Sequence, residues 1–210
     1  LYFDFSKAFD SVSHKLLLLK LSSYGTQNPL LSWLKSFLEE RSQIVRFGSC
    51  YSKPVNVTSG VIQGSVIGPL LFLLFINDVC SLFQYGKPFL FADDLKVVYS
   101  FSSPTKESYI SIVIQEEINK LYEWTISWNL PLNVDKSGFI NIGRCLNLNL
   151  AIQKHTLKPL NTVRDLGLRC SDSLNFSEHI ASQVSEARKL IGFIMINFNN
   201  TESRLLLYRK

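Results

Sequence analysis

Two short apolar runs and two long helical stripes predict an α+β fold. The runs "LYFDF" (residues 1–5) and "FLFADDLKVV" (residues 89–98) are apolar, aromatic and β-branched, which is the composition of strands in a buried sheet. One stripe consists of Ile110, Ile114, Ile118, Leu121, Trp124 and Trp128, and the other of Ile180, Val184, Ala187, Ile191, Ile194 and Phe198. Spacings of three and four residues line each set along one helix face. A chain of 210 residues, 46% hydrophobic and 12% aromatic, is long enough to bury a sizeable core.

The elements follow in order. After the strand at residues 1–5, "SHKLLLLKLSSYG" reads as a helix opened by Ser13 and closed near Gly25. "NPLLSWLKSFLEERSQ" reads as a second helix with Pro29 in its first turn, and "SQIVRFGSCYSKPVNVTSG" as short strands and turns. Pro69 starts an apolar helix over residues 70–79, and residues 87–100 read as two strands around Asp93 and Asp94. An amphipathic helix covers 107–128, "SGFINIG" and "LNLNLAIQ" are strand candidates, and a last helix starts at Ser177. No internal repeat or low-complexity segment interrupts this order.

Composition excludes several classes. The net charge of +5 comes without a basic tail, so binding of nucleic acid would need local placement of charge. Cys50, Cys80, Cys145 and Cys170 form no C-x-x-C pair, which argues against a zinc site and suits a reducing compartment. His14, His155 and His179 are scattered in the same way and read as core or surface residues. Residues 54–77 carry no formal charge, but polar residues and Gly68-Pro69 confine the apolar run to "LLFLLFI", far short of the ~20 residues of a membrane span. Nothing in these residues reads as a signal peptide. The single methionine is Met195, and both ends fall in apolar, uncapped runs, which reads as a segment of a longer polypeptide.

The carboxylates raise the functional question. Asp93 and Asp94 sit where a tight hairpin would turn, so a solvated Asp-Asp turn accounts for them if they are taken alone. Asp4 lies in another apolar strand with no turn residue to explain it. If the strands are neighbours, Asp4 meets Asp93 at a sheet edge, and like charges about 4 Å apart repel by ~4 kcal/mol at an effective dielectric of 20. A divalent cation removes that repulsion, and an all-oxygen site suits Mg²⁺.

The blocks "FDFSKAFDSVSHKLLLLKL", "SGVIQGSVIGPLLFLLFINDV", "FADDLKVV", "LPLNVDKSGFINIG" and "VRDLGLRCSDSLNFSEHI", in this order from residue 1 to about 195, resemble the reverse transcriptase domain of non-long-terminal-repeat (LINE-like) retrotransposons. The resemblance implies a polymerase palm, an antiparallel sheet backed by helices, over residues 1–172, and the start of a helical thumb over 173–210. The fingers, which this family places before Asp4, are missing, as is the upstream endonuclease. It implies an RNA-directed DNA polymerase that adds dNTPs to a primer 3′-hydroxyl with two Mg²⁺ ions, and that partners an RNA template and a DNA primer. The fragment alone is expected to be inactive. The resemblance also implies an intracellular protein working in the nucleus, although the chain carries no targeting signal.

Position by position, Asp4 matches the aspartate of the first palm motif, Asp93 the first aspartate of the F/Y-x-D-D hairpin and Asp94 the second; all three would be catalytic metal ligands, Asp94 less directly because neighbouring residues on a strand face opposite ways. Phe9 matches the aromatic residue beneath the incoming sugar, and a core role in the rhythm of Phe3, Phe5 and Phe9 is the less favoured alternative. Gln63 and Gly64 match the loop behind the nascent base pair, where glycine permits close backbone approach. The family has proline before this glutamine, and here Ile62 stands. Lys136 matches a proton donor to pyrophosphate, or is a solvated loop lysine. Leu166 and Gly167, in "LGLRC", match the hairpin that grips the primer, and Arg188 and Lys189 could meet duplex phosphates. The palm is shared with intron maturases and with RNA-dependent RNA polymerases. The wording of "DFSKAFDSV" and "GPLLFLLFINDV" favours the LINE-like branch, and Phe9 offers no partner to a ribose 2′-hydroxyl. A decayed, inactive element copy is the non-enzymatic alternative.

Overall fold

Along the chain, β1 (Tyr2–Phe5) leads through a short α1 (Ala8–Ser11) into α2 (His14–Ser23) and α3 (Leu30–Leu38), and the two-residue strands β2 (Ser42–Gln43), β3 (Arg46–Phe47), β4 (Cys50–Tyr51) and β5 (Val55–Asn56) follow. Next come α4 (Gly68–Ile76), a 3-10 turn at Asn77–Leu82, β6 (Lys87–Phe91), β7 (Asp94–Val98), α5 (Glu107–Ser127) and β8 (Leu132–Phe139). The order ends with β9 (Ala151–Ile152), β10 (His155–Thr156), β11 (Lys158–Pro159), β12 (Thr162–Asp165), β13 (Leu168–Ser171) and α6 (Ser177–Asn197). This computed structural model describes residues 1–102, 104–143, 146–198 and 200. It divides into two compact units, Leu1–Phe139 with Leu146–Lys158, and Ile140–Cys145 with Pro159–Lys210.

Local chemistry sets the helix ends. The Ser13 hydroxyl accepts the Leu16 N–H at 3.5 Å and opens α2 where the sequence indicates. The second helix is shorter than the sequence suggests: Glu39 turns extended, Glu40 takes φ 55°, and the Arg41 side chain donates to the Leu38 carbonyl at 2.7 Å, closing α3 at Leu38. α4 starts two residues earlier than expected because the Ser65 hydroxyl accepts the Gly68 N–H at 3.0 Å and donates to the Ile62 carbonyl at 2.7 Å. Glycine is required there, since a Cβ on Gly68 would stand 2.4 Å from that carbonyl oxygen.

The main sheet has five strands in the order β11-β8-β1-β7-β6. β1 runs antiparallel to β7, with Tyr2 opposite Lys96 and Phe3 opposite Leu95, and antiparallel to β8 on its other side. Alternation puts Phe3, Phe5, Leu95 and Val97 on one buried face, against Phe72, Phe75 and Ile76 of α4 and Ile110, Ile114, Ile118 and Leu121 of α5. Each such side chain contributes roughly 1.5–3 kcal/mol by leaving water.

Two buried charges join elements across this core. Lys20, 2% exposed, donates to the Phe75 carbonyl at 2.6 Å, pairs with Asp78 at 2.7 Å and lies 3.5 Å from the centre of the Trp128 ring. Burial pulls its pKa down, and the Asp78 bond opposes that pull. Glu117, 1% exposed, accepts the N–H groups of Gln84 (2.6 Å), Tyr85 (2.7 Å) and Gly86 (3.2 Å) and the Tyr99 hydroxyl (2.8 Å). It therefore fixes the entry to β6.

In the second unit, β12 and β13 form a hairpin through Leu166 (φ 46°) and Gly167 (φ 89°), both left-handed as a type I′ turn requires. The last helix starts at Ser177 as expected, but Ile180, Val184 and Ile191 of its apolar stripe are exposed and only Ile194 is buried among its described residues. Spacing predicts the helix and says nothing of what covers it. Cys50, Cys80 and Cys170 are free thiols, and Cys145 lies outside the described residues. Among the described residues no helix is long and apolar enough to cross a membrane.

Candidate active site

The Asp pair lies at a hairpin, as its sequence context predicts, but the turn falls one residue earlier than an Asp-Asp turn, and Asp94 already belongs to β7. Phe91 pairs with Asp94, leaving Ala92 and Asp93 as a two-residue turn in which Ala92 takes φ 52°. A non-glycine residue in that conformation costs roughly 1–2 kcal/mol, and such strain gathers at functional sites. The register refines the expected geometry. Because Tyr2 lies opposite Lys96 and Phe3 opposite Leu95, continuing one step brings Asp4 level with Asp94, on the face away from the core, while the turn takes up Asp93. Asp4 and Asp93 are half-buried and Asp94 is exposed.

On the other side of β1, β8 carries a bulge. Tyr2 faces Gly138 but Asp4 faces Asn133, so residues 134–137 stand across from Phe3 alone. This bulge holds Lys136 beside Asp4, with Nζ to Oδ2 at 3.7 Å, in an ion pair whose partners are 69% and 33% exposed. At that exposure the pair adds under about 1 kcal/mol of stability. Lys136 thus belongs to a strand rather than a loop, and it supplies a cation at the carboxylate edge. Ser137, which the sequence reading passed over, is 4% exposed; its hydroxyl donates to the Asn133 carbonyl at 2.8 Å and accepts the Asp4 N–H at 3.3 Å.

Phe9 and Gln63 come together through backbone zipping. The Gly60 N–H donates to the Val12 carbonyl at 2.8 Å, the Val61 N–H to the Phe9 carbonyl at 2.9 Å and the Ser59 hydroxyl to the Asp10 carbonyl at 2.8 Å. Gly60 (φ 89°) is the residue that allows this, since a Cβ there would lie 2.9 Å from the Asp10 backbone. Gln63 Nε2 donates to Asp10 Oδ1 at 2.8 Å. A carboxylate only accepts, so this bond fixes the amide with its NH₂ toward Asp10. Asp10 is the second residue missed by the sequence reading, although it adjoins Phe9 in the quoted segment. The Phe9 ring is half-buried and stacked on Phe72, centroids 4.2 Å apart at 20°. Packing therefore holds one of its faces. Gly64 has φ 81° with nothing within 4 Å of a built Cβ, so glycine serves conformation there and the space beside it is open.

The remaining expected contacts lie in the second unit. Leu166 and Gly167 form the tip of the β12–β13 turn, with Leu166 61% exposed, and Arg188 and Lys189 are exposed on α6. Of the eleven residues singled out from the sequence, Asp4, Asp93, Asp94 and Lys136 gather at one end of the main sheet, Phe9, Gln63 and Gly64 belong to the zipped segment of the same unit, and four lie in the other unit.

The donors at the sheet edge are carboxylate oxygens, the chemistry that Mg²⁺ prefers. Among the described residues no three His, Cys, Asp or Glu side chains gather tightly enough to hold an ion by themselves.

Residues 1–194 match the model of the reverse transcriptase (RNA-dependent DNA polymerase) family, and the chain belongs to that family. It is 35% identical over 190 residues to the probable RNA-directed DNA polymerase from transposon X-element of Drosophila melanogaster, a match covering 86% of this chain and 20% of the relative. It is 30% identical over 194 residues to the RNA-directed DNA polymerase from mobile element jockey of Drosophila funebris, covering 86% and 20%. A third relative, the probable RNA-directed DNA polymerase from transposon BS of Drosophila melanogaster, is 30% identical over 194 residues, covering 85% and 20%. The chain spans about a fifth of the length of these relatives.

Proposed function

We propose that this chain is the palm, residues 1–172, and the start of the thumb, residues 173–210, of an RNA-directed DNA polymerase of a LINE-like retrotransposon. The observation that carries the reading is the juxtaposition at one sheet end of Asp4, the hairpin carboxylates Asp93 and Asp94, and the Lys136 ammonium, in a chain that belongs to the reverse transcriptase family. The parent polypeptide would add fingers and an endonuclease, and would act on element RNA in the nucleus.

Two Mg²⁺ ions, when bound, would lower the pKa of the primer 3′-hydroxyl and neutralise charge on the triphosphate. Asp4, Asp93 and Asp94 would supply protein oxygens to them. In the reaction the primer 3′-hydroxyl would lose its proton to water as its oxygen bonds to the α-phosphorus of the dNTP, the bond from that phosphorus to pyrophosphate would break, and Lys136 would give its proton to the departing pyrophosphate. Phe9 lies beneath the sugar and leaves a ribose 2′-hydroxyl without a partner. Gln63, with its NH₂ held by Asp10, would offer its carbonyl oxygen to the nucleotide as an acceptor. Leu166 and Gly167 would contact the primer end, and Arg188 and Lys189 the duplex phosphates, without reading sequence.

The test is primer extension by the purified parent polypeptide on an RNA template. Extension with dNTPs and Mg²⁺, lost on chelation, is the expected result. A polypeptide that binds the primed template and incorporates no nucleotide would refute the reading.

A further inference from the structure

We propose that Ser137 is the positioning residue for Lys136: its hydroxyl closes the bulge of β8 against β1 and so holds the lysine ammonium at the Asp4 edge. This rests on the reading of Lys136 as the proton donor. The surplus of β8 residues 134–137 across from Phe3 means that no regular ladder fixes this stretch. Nor does packing hold Lys136 in place, because its side chain is 69% exposed. Ser137 supplies the missing constraint. Its buried hydroxyl donates to the Asn133 carbonyl, closing residues 133–137 into a ring, and accepts the Asp4 N–H, tying that ring to the strand that carries the aspartate. Lys136 is the ring member next to this tie, and its Nζ lies 3.7 Å from Asp4 Oδ2.

The role requires one group that donates and accepts from a short stem. Serine and threonine have it; valine and alanine do not. Threonine and valine are nearly equal in size, so the pair separates the hydroxyl from the volume.

Ser137→Thr, Ser137→Val, Lys136→Ala and the double variant Ser137→Val/Lys136→Ala would be compared in the full-length parent polypeptide by single-turnover extension. Displacement of a reacting group by about 1 Å costs up to about a hundredfold. Ser137→Thr should stay within about threefold of the parent. Ser137→Val should slow nucleotide addition about tenfold or more with little change in KM for dNTP, and the double variant should be no slower than Lys136→Ala alone. By hydrogen exchange, the Asp4 amide should open faster in Ser137→Val than in Ser137→Thr. If the valine variant loses protection across all of β1, Ser137→Ala takes its place in the comparison. Equal rates for the threonine and valine variants, or a full further loss when Ser137→Val is added to Lys136→Ala, would overturn the inference while leaving the role of Lys136 standing. A Lys136→Ala polypeptide of unchanged rate would overturn both.

Discussion

Replacing Glu117 by glutamine tests whether the buried carboxylate fixes the strand that carries the Asp hairpin. The carboxylate accepts three backbone N–H groups and one hydroxyl at 2.6–3.2 Å, with both oxygens in use. Glutamine keeps one oxygen. With that oxygen toward Gln84 and Tyr85, its NH₂ meets the Gly86 N–H donor against donor, while the Tyr99 hydroxyl can turn and accept. The orphaned N–H costs about 1–3 kcal/mol, and the surviving bonds fall from the charged range of about 1.5–3 kcal/mol toward the neutral one of about 0.5–1.5 kcal/mol. Relief from burying the charge offsets part of this. A net loss of about 3 kcal/mol should make the amides of residues 84–91 exchange roughly a hundredfold faster in the parent polypeptide, since ~1.4 kcal/mol is a factor of ten. Hydrogen exchange resolved by peptide measures it, with α6 as the internal control. A change under about threefold across residues 84–91 would show that the turn stands without the carboxylate and would refute this reasoning.

Phe9→Val, in the full-length polypeptide, should raise ribonucleotide over deoxyribonucleotide use by about tenfold, read as the ratio of kcat/KM values. An unchanged ratio with lowered stability would mean that the ring serves only its stack on Phe72. Burial, together with the hydrogen bond to Glu117, pushes the Tyr99 phenol well above its ordinary value of 10.0. The folded state therefore keeps this proton where the unfolded chain releases it, so the contribution is complete below pH 10 and declines above it, by at most about 1.4 kcal/mol per pH unit. The stability advantage of the parent over Tyr99→Phe, from exchange of the Glu117-bound amides, should be constant to pH 10 and shrink by pH 11; a constant difference at both would contradict it.

What the sequence made legible was whatever depends on periodicity and turn chemistry. The hairpin around Asp93, the strand carrying Asp4 and the helices starting at Glu107 and Ser177 all appear because apolar spacing and local turn residues suffice to specify them. Long-range register was not legible. Which hairpin carboxylate stands level with Asp4 depends on a pairing across more than ninety residues, and one step of register exchanges Asp93 for Asp94. The bulge that puts Lys136 in β8 is spanned by a buried serine hydroxyl, for which the sequence holds no signal. Glu117 could have been found. It lies between Ile114 and Leu121 on the apolar stripe of α5, and a carboxylate on a core face requires donors. The exposed stripe of α6 shows the converse, for periodicity specifies a face without saying what meets it.

The most direct test of the proposed centre is single-turnover primer extension by the Asp4→Asn parent polypeptide, with hydrogen exchange of β1 and β8 measured on the same sample. Asparagine keeps the shape of the side chain and removes the charge that would hold Mg²⁺ and pair with Lys136. Nucleotide addition should fall by at least about a hundredfold while protection of both strands is retained. Near-normal addition by a folded Asp4→Asn polypeptide would contradict the assignment of this sheet edge as the catalytic centre.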